Sequence, residues 1–134
     1  MMKTTAQDIM STELLTIQEG ASLEEALKIL LNNKITGLPV VNKTNALVGI
    51  VSEYDIMLQI SQAANVEKAD ISVPFKFSSS VECISTTTSL EEIIDIFITK
   101  KYRRVLVQDD KKKLTGIITR RDLMKLFYYR ARLA

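Results

Sequence analysis

Gly116-Ile117-Ile118-Thr119-Arg120-Arg121-Asp122 is the stretch on which the reading of this chain turns, and it has an earlier twin in Gly49-Ile50-Val51-Ser52-Glu53-Tyr54-Asp55. In both, a glycine and two apolar residues run into a hydroxyl residue, with Asp three positions on and an amphipathic run beyond it. That is a strand ending in a helix start. The hydroxyl accepts a bond from the third helical N–H while the carboxylate reaches back to the cap, which makes a capping box.

Such a box starts a helix whether or not anything binds to it, but two features here point further. Orphan N–H groups at a helix N-terminus attract anions, and in the second copy two arginines separate the hydroxyl from the acid. Thr119, Arg120, Arg121 and Asp122 therefore combine what both halves of a nucleotide need. Cations and N–H groups suit phosphate, and a carboxylate suits ribose hydroxyls.

The twin motifs belong to a longer repeat with a constant shift of 67 residues, from Ser22 to Ser89, Gly49 to Gly116 and Asp55 to Asp122. Ser22-Leu23-Glu24-Glu25 recurs letter for letter as Ser89-Leu90-Glu91-Glu92, and Ile17, Val40, Leu47 and Met57 match Ile84, Val107, Leu114 and Met124. A gap-free repeat of this kind decides the architecture before any single motif does.

The elements follow from local pattern. Thr4 to Met10 predicts a short helical turn capped by Thr4 or Thr5, and Leu14 to Ile17 a brief strand. Ser22 opens a helix with Leu23, Ala26, Leu27, Leu30 and Leu31 on one face, ending near Asn32-Asn33. Ile35 to Val41 and Leu47 to Val51 read as a hairpin across the polar turn from Asn42 to Ala46. Pro39 falls near the beginning of its strand, where a missing N–H harms a sheet least. Ser52 opens a second helix to about Ala64, with Ile56, Met57 and Ile60 towards the core. Residues 1–64 are thus a first β-α-β-β-α repeat, 65–80 a connector and 81–134 a second repeat. The fold class is α+β, two pseudo-symmetric repeats packed sheet to sheet, with the cap motifs facing two related clefts.

Composition narrows the chemistry. The 134 residues carry a formal net charge of +2, one cysteine and no histidine. Histidine-dependent triads and Cys/His zinc sites are excluded by inventory, so no catalytic residue and no metal ligand is assigned. Cys83 reads as an inert thiol on a strand, Asp109-Asp110 and Lys111-Lys112-Lys113 as a solvated turn, and Met10, Met57 and Met124 as core fillers. No run approaches membrane-spanning length, and Met1-Met2-Lys3 leads into polar residues instead of a signal-peptide core. The expected location is cytoplasmic. The basic tail from Arg120 to Arg132, with Tyr128-Tyr129, lacks the dense stripe of a nucleic-acid binder.

The repeat, Gly37-Leu38-Pro39-Val40-Val41, the Gly-apolar-apolar-Ser/Thr-x-x-Asp at each second helix and the opening Asp8-Ile9-Met10-Ser11 together resemble the cystathionine-β-synthase (CBS) domain, two of which in tandem form a Bateman module. The resemblance covers about Thr5 to about Tyr128. It implies a regulatory module, not an enzyme, that binds an adenosine-containing ligand (AMP, ADP, ATP or S-adenosylmethionine) in clefts between the paired domains. No cofactor is required beyond that regulatory adenine nucleotide. Carried over by motif, Thr119, Arg120, Arg121 and Asp122 would serve one cleft with Ile9, Leu14, Thr36, Gly37, Leu38 and Pro39. Ser52 and Asp55 would serve a second with Val81, Arg103, Arg104 and Val105.

Three departures bear on this. Leu106 stands where the first repeat has Pro39, Phe77 where it has Met10, and Glu53 where the second repeat has Arg120. A like-charge contact at about 4 Å is unfavourable by about 1 to 4 kcal/mol, so Glu53 disfavours a polyphosphate beside Ser52. The resemblance also implies a homodimer formed through the second helices, Ile56-Met57-Leu58 with Ile60 and Leu123-Met124 with Leu126 to Tyr129, and an effector protein to receive the signal. The competing reading is a structural or dimerisation module with empty clefts.

Overall fold

A computed structural model describes residues 3–133, with side chains as far as Ala131. Met1, Met2, Ala134 and the side chains of Arg132 and Leu133 lie outside the described residues, so the opening Met-Met and the far end of the basic tail do too. The elements run α1 (Ala6–Ile9), β1 (Ile17–Gln18), α2 (Leu23–Asn33), β2 (Gly37–Val41), β3 (Leu47–Ser52), α3 (Glu53–Ser61), β4 (Cys83–Ser85), α4 (Leu90–Lys100), β5 (Arg104–Gln108), β6 (Leu114–Thr119) and α5 (Arg120–Leu133). A single 3-10 turn, Val66–Lys68, breaks the connector. The fold is α+β, with one three-stranded sheet ordered β1-β2-β3 and another ordered β4-β5-β6.

The same shift of 67 that relates the residues relates the hydrogen bonds. Ser22 Oγ accepts from the Glu25 N–H at 3.1 Å, and Ser89 Oγ from the Glu92 N–H at 3.2 Å. Both first helices end on a lysine in the left-handed region, Lys34 at φ 53° and Lys101 at φ 55°. Both hairpins turn on a left-handed residue, Asn45 and Lys112, each at φ 64°. A non-glycine residue there is unfavourable by roughly 1–2 kcal/mol, so two such lysines in register show how closely the second copy repeats the backbone of the first.

The chain divides into two compact units, 15–81 in one and 3–14 with 82–133 in the other. The segment 3–14 is therefore packed with the second repeat, as 70–81 is packed with the first. Ser78 and Ile50 exchange backbone bonds of 2.9 and 3.0 Å along the free edge of β3, and Ser11 and Ile117 do the same along β6. Just before each bridge a large side chain crosses the strand, Phe77 over Gly49 and Met10 over Gly116. A Cβ at either glycine would run into it. The glycines of the two motifs are thus there because a neighbouring chain passes too close for any side chain.

Pro39 lies in the middle of β2, the central strand, further in than its expected place. Ile50, opposite it, gives its N–H and C=O to Ser78. The Pro39–Ile50 pair is therefore a non-hydrogen-bonded one, and the missing proline N–H points to the β1 side. There β1 begins one residue later, with Ile17 opposite Val40, whereas β4 begins with Cys83 opposite Leu106. Leu106 in place of Pro39 gives the second sheet the additional rung.

Each unit has its own core. In the first, Ile17, Leu23, Ala26, Leu30, Leu38, Val40, Val51 and Ile56 close around Phe75 of the connector. In the second, Ile84, Ile93, Phe97, Val105, Val107, Ile118 and Leu123 close around Ala6 of the opening segment. Met10 packs against the second core, but Met57 and Met124 are each 63% exposed and do not fill cores. Ile56 and Ile60 already occupy the inward stripe of α3, and a residue next in sequence lies about 100° around the helix.

Candidate functional site

The cap at Thr119 is formed as its sequence requires. Asp122 Oδ2 accepts from the Thr119 N–H at 2.8 Å and from the Thr119 hydroxyl at 3.0 Å, while the Asp122 N–H donates to Thr119 Oγ1 at 3.3 Å. Ser52 and Asp55 repeat this with distances of 2.8, 2.8 and 3.2 Å. In both caps a single carboxylate oxygen takes both bonds. The other oxygen is not used by the cap, and a carboxylate oxygen can accept from a ligand hydroxyl.

The two arginines after Thr119 diverge. Arg121 is exposed and makes no hydrogen bond or ion pair among the described residues. Arg120 reaches back to the end of α4, where its Nε donates to the Tyr102 carbonyl at 2.9 Å and its Nη2 to the Lys101 carbonyl at 3.1 Å. These carbonyls lie in the left-handed turn that ends α4, where helix carbonyls lack partners. Glu53, at the matching position of the first repeat, is exposed, and its carboxylate accepts no hydrogen bond among the described residues.

Within the second unit, one cavity of ≈ 380 Å³ brings Ile9 and Asp122 together, lined also by Asp8, Lys125, Leu126, Tyr129 and Arg130. Leu14 is not in that lining. Lys125 escaped the sequence reading, which assigns Tyr129 to a pairing face, although Asp122, Lys125 and Tyr129 stand at i, i+3 and i+7, the spacing of one helix face. Arg130 of this wall donates to Thr4 Oγ1 and so ties α5 to the opening segment.

The remaining expected residues are placed as follows. Thr36 is exposed, and its carbonyl accepts from the Glu53 N–H at 3.0 Å, closing the end of the β2–β3 ladder. Gly37, Leu38 and Pro39 are buried in β2, and Leu38 is a core side chain at 0% exposure, so its backbone is what it can offer a ligand. Val105 is likewise in the core of its own unit. Val81 is half-buried and Arg103 exposed. Arg104 lies opposite Thr119 across the β5–β6 pair. Burial, and then the charge of Arg103, push the Arg104 guanidinium below its ordinary value.

Nearby, Glu82 accepts from both Lys100 Nζ and the Tyr102 hydroxyl, and these two bonds, Lys100 first, hold its carboxyl below the usual carboxylate range. Burial raises the Cys83 thiol above its ordinary value, which suppresses the thiolate. Asp109 Oδ1 accepts from the Lys111 and Lys113 N–H groups at 2.9 Å each, so this acid shapes the turn it was expected to sit in. Among the described residues, no group of three or more His, Cys, Asp or Glu could hold a metal ion. No described helix is long and apolar enough to cross a membrane.

Two tandem copies of one domain, each a capped β-α-β-β-α unit, define the class, and the chain belongs to the CBS domain family, matched at residues 6–62 and 71–129. It is 29% identical over 138 residues to the CBS domain-containing protein CBSX1, chloroplastic, of Arabidopsis thaliana, covering 84% of this chain and 58% of that protein. The chain thus spans little more than half the length of that relative. Among solved structures, CBSX2 in complex with AMP is 29% identical, with a TM-score of 0.79 over 95% of this chain and 98% of that one. The CBS domain pair of protein MJ0100, in complex with 5-methylthioadenosine and S-adenosyl-L-methionine, is 27% identical, with a TM-score of 0.73 over 96% of this chain and 99% of that one.

Proposed function

We propose that this protein is a regulatory module, without catalytic activity of its own, that senses an adenosine-containing ligand of the AMP, ADP, ATP or S-adenosylmethionine type. The observation that carries the reading is the Thr119–Asp122 cap, in which one carboxylate oxygen is held by the helix start and the other is left by the cap for ribose. AMP in the CBSX2 structure and S-adenosyl-L-methionine in the MJ0100 structure support the ligand class. Arg121 supplies a cation at a helix N-terminus, where charge-assisted contacts to phosphate are strong. Ile9, Leu14, Thr36, Gly37, Leu38 and Pro39 are proposed to serve the same ligand. Ser52, Asp55, Val81, Arg103, Arg104 and Val105 are proposed as a second site, in which Glu53 disfavours phosphate next to Ser52. Residues 1–64 and 81–134 are proposed as the two repeats, joined by 65–80.

Binding would shift the balance between two arrangements of the module by its differential affinity for them, and a homodimer or an effector protein in the cytoplasm would read the change. Asp122→Asn tests the ribose contact, because Asn keeps the shape and an acceptor for the cap but loses the charge. The fold should persist by circular dichroism while AMP affinity falls. A variant that discriminates AMP from 2′,3′-dideoxy-AMP as well as the wild type does would reject the assignment.

A further inference from the structure

Arg120 has the residue type of a phosphate ligand, and its guanidinium is turned to backbone carbonyls of its own unit. Its guanidinium spends two donors on the carbonyls of Lys101 and Tyr102, which immediately precede the Arg103-Arg104 pair. Arg104 is fixed on its far side by its pairing with Thr119 at the end of the β5–β6 ladder. Arg103 is therefore held between two anchored points. Tyr102 is anchored a second time, since its hydroxyl donates to the Glu82 carboxylate that also pairs with Lys100. The first repeat closes the same place with a backbone bond from the Glu53 N–H to the Thr36 carbonyl, and there Thr36 and Gly37 stand where the second repeat has Arg103 and Arg104, with no cations to aim.

We infer that Arg120 is a positioning residue, which clamps the Lys101–Tyr102 turn and so holds Arg103 and Arg104 for the phosphates of a bound nucleotide. Arg103 and Arg104 carry like charges one residue apart, and the charge of Arg103 acts on the half-buried Arg104 guanidinium. An unclamped turn would let the pair splay apart, whereas the bidentate fork of Arg120 suits two neighbouring carbonyls. The inference rests on the nucleotide reading above, but the clamp itself is observable without ligand.

The experiment uses the full chain as wild type, Arg120→Ala, Arg120→Lys, Arg103→Ala/Arg104→Ala, and the triple variant. Hydrogen exchange without ligand should show the amides from Tyr102 to Val105 exchanging about tenfold faster in Arg120→Ala, as expected of local opening, and partly slowed again in Arg120→Lys. Calorimetric titration should show Arg120→Ala weakening ATP about fivefold, within the range of coupled neighbours, with adenosine unchanged. In the Arg103→Ala/Arg104→Ala background the same change should cost less than about twofold. Unchanged exchange at 102–105 would overturn the clamp, and an equal ATP loss in both backgrounds would make Arg120 a direct phosphate contact instead. Failure of the wild type to bind either adenosine or ATP would count against the nucleotide reading alone, and the exchange measurement would still decide the clamp.

Discussion

Gly49 and Gly116 carry the same motif letter for the same reason, yet they differ in what a side chain would meet. At Gly116 the obstruction is the Met10 side chain from Sδ in to Cβ, so its outer atoms can turn aside but its Cβ moves only with the backbone. At Gly49 it is the Phe77 ring together with the Ser78 carbonyl oxygen, and that backbone is pinned by its two bonds to Ile50. Overpacking typically costs about 1–3 kcal/mol. Gly49→Ala, which meets a backbone oxygen, is therefore expected to cost more than Gly116→Ala, which meets side-chain atoms alone, with both within that range or above it, as measured by urea unfolding of the full chain. Equal losses would mean that the Phe77 segment yields as easily as Met10 does. The cap residues have a separate cost, since loss of a capping side chain costs about 0.5–2 kcal/mol. Any Thr119 or Asp122 variant must have its melting temperature measured beside its affinity.

The helices and hairpins were legible in the sequence because their signals are local. Ser22, Ser52, Ser89 and Thr119 each start a helix where hydroxyl and acid spacing says so, and Asn42 to Ala46 turns the hairpin. What was not legible depends on partners far along the chain. Nothing near Thr4 to Ser11 says that this segment packs with residues 82–133, although Met10 and Phe77 standing 67 apart was the available clue. The left-handed caps at Lys34 and Lys101 lack the usual glycine or asparagine signal, and the long Arg120 side chain has no sequence pattern that fixes its destination. The opening segment gives a prediction at this scale. Ala6 and Gln7 donate to the Thr88 and Thr86 carbonyls at 2.8 and 3.0 Å, and Leu90 donates to Thr4 at 3.1 Å. A chain lacking residues 1–14 should lose amide protection across 82–133, as a locally opened unit does. Protection preserved in 82–133 would show that the segment is an accessory to that unit and not part of it.

For the whole molecule, both repeats expose apolar residues at matching positions. Leu31 and Ile98 are 73% and 69% exposed, and Met57 and Met124 match at 63% each. In the second unit a groove of ≈ 390 Å³ between α4 and α5 is lined by Ile94, Phe97, Ile98, Leu123, Met124 and Phe127, with Arg120 among them. A twofold pairing of such faces is the simplest closed assembly. Sedimentation is expected to find a wild-type dimer at roughly tens of micromolar, an ordinary range for weak self-association, and a monomer for Leu58→Glu/Phe127→Glu. A wild-type monomer under those conditions would leave the exposed faces to another protein. The nucleotide reading has a more direct test, which is isothermal titration of the intact wild-type chain with AMP, ADP, ATP and S-adenosylmethionine. At least one of them should bind saturably, and Asp122→Asn should weaken it without lowering the secondary-structure content. No heat of binding from any of the four at millimolar ligand, roughly the weakest range such a measurement reads, would contradict the sensing role and leave a module whose caps only start helices.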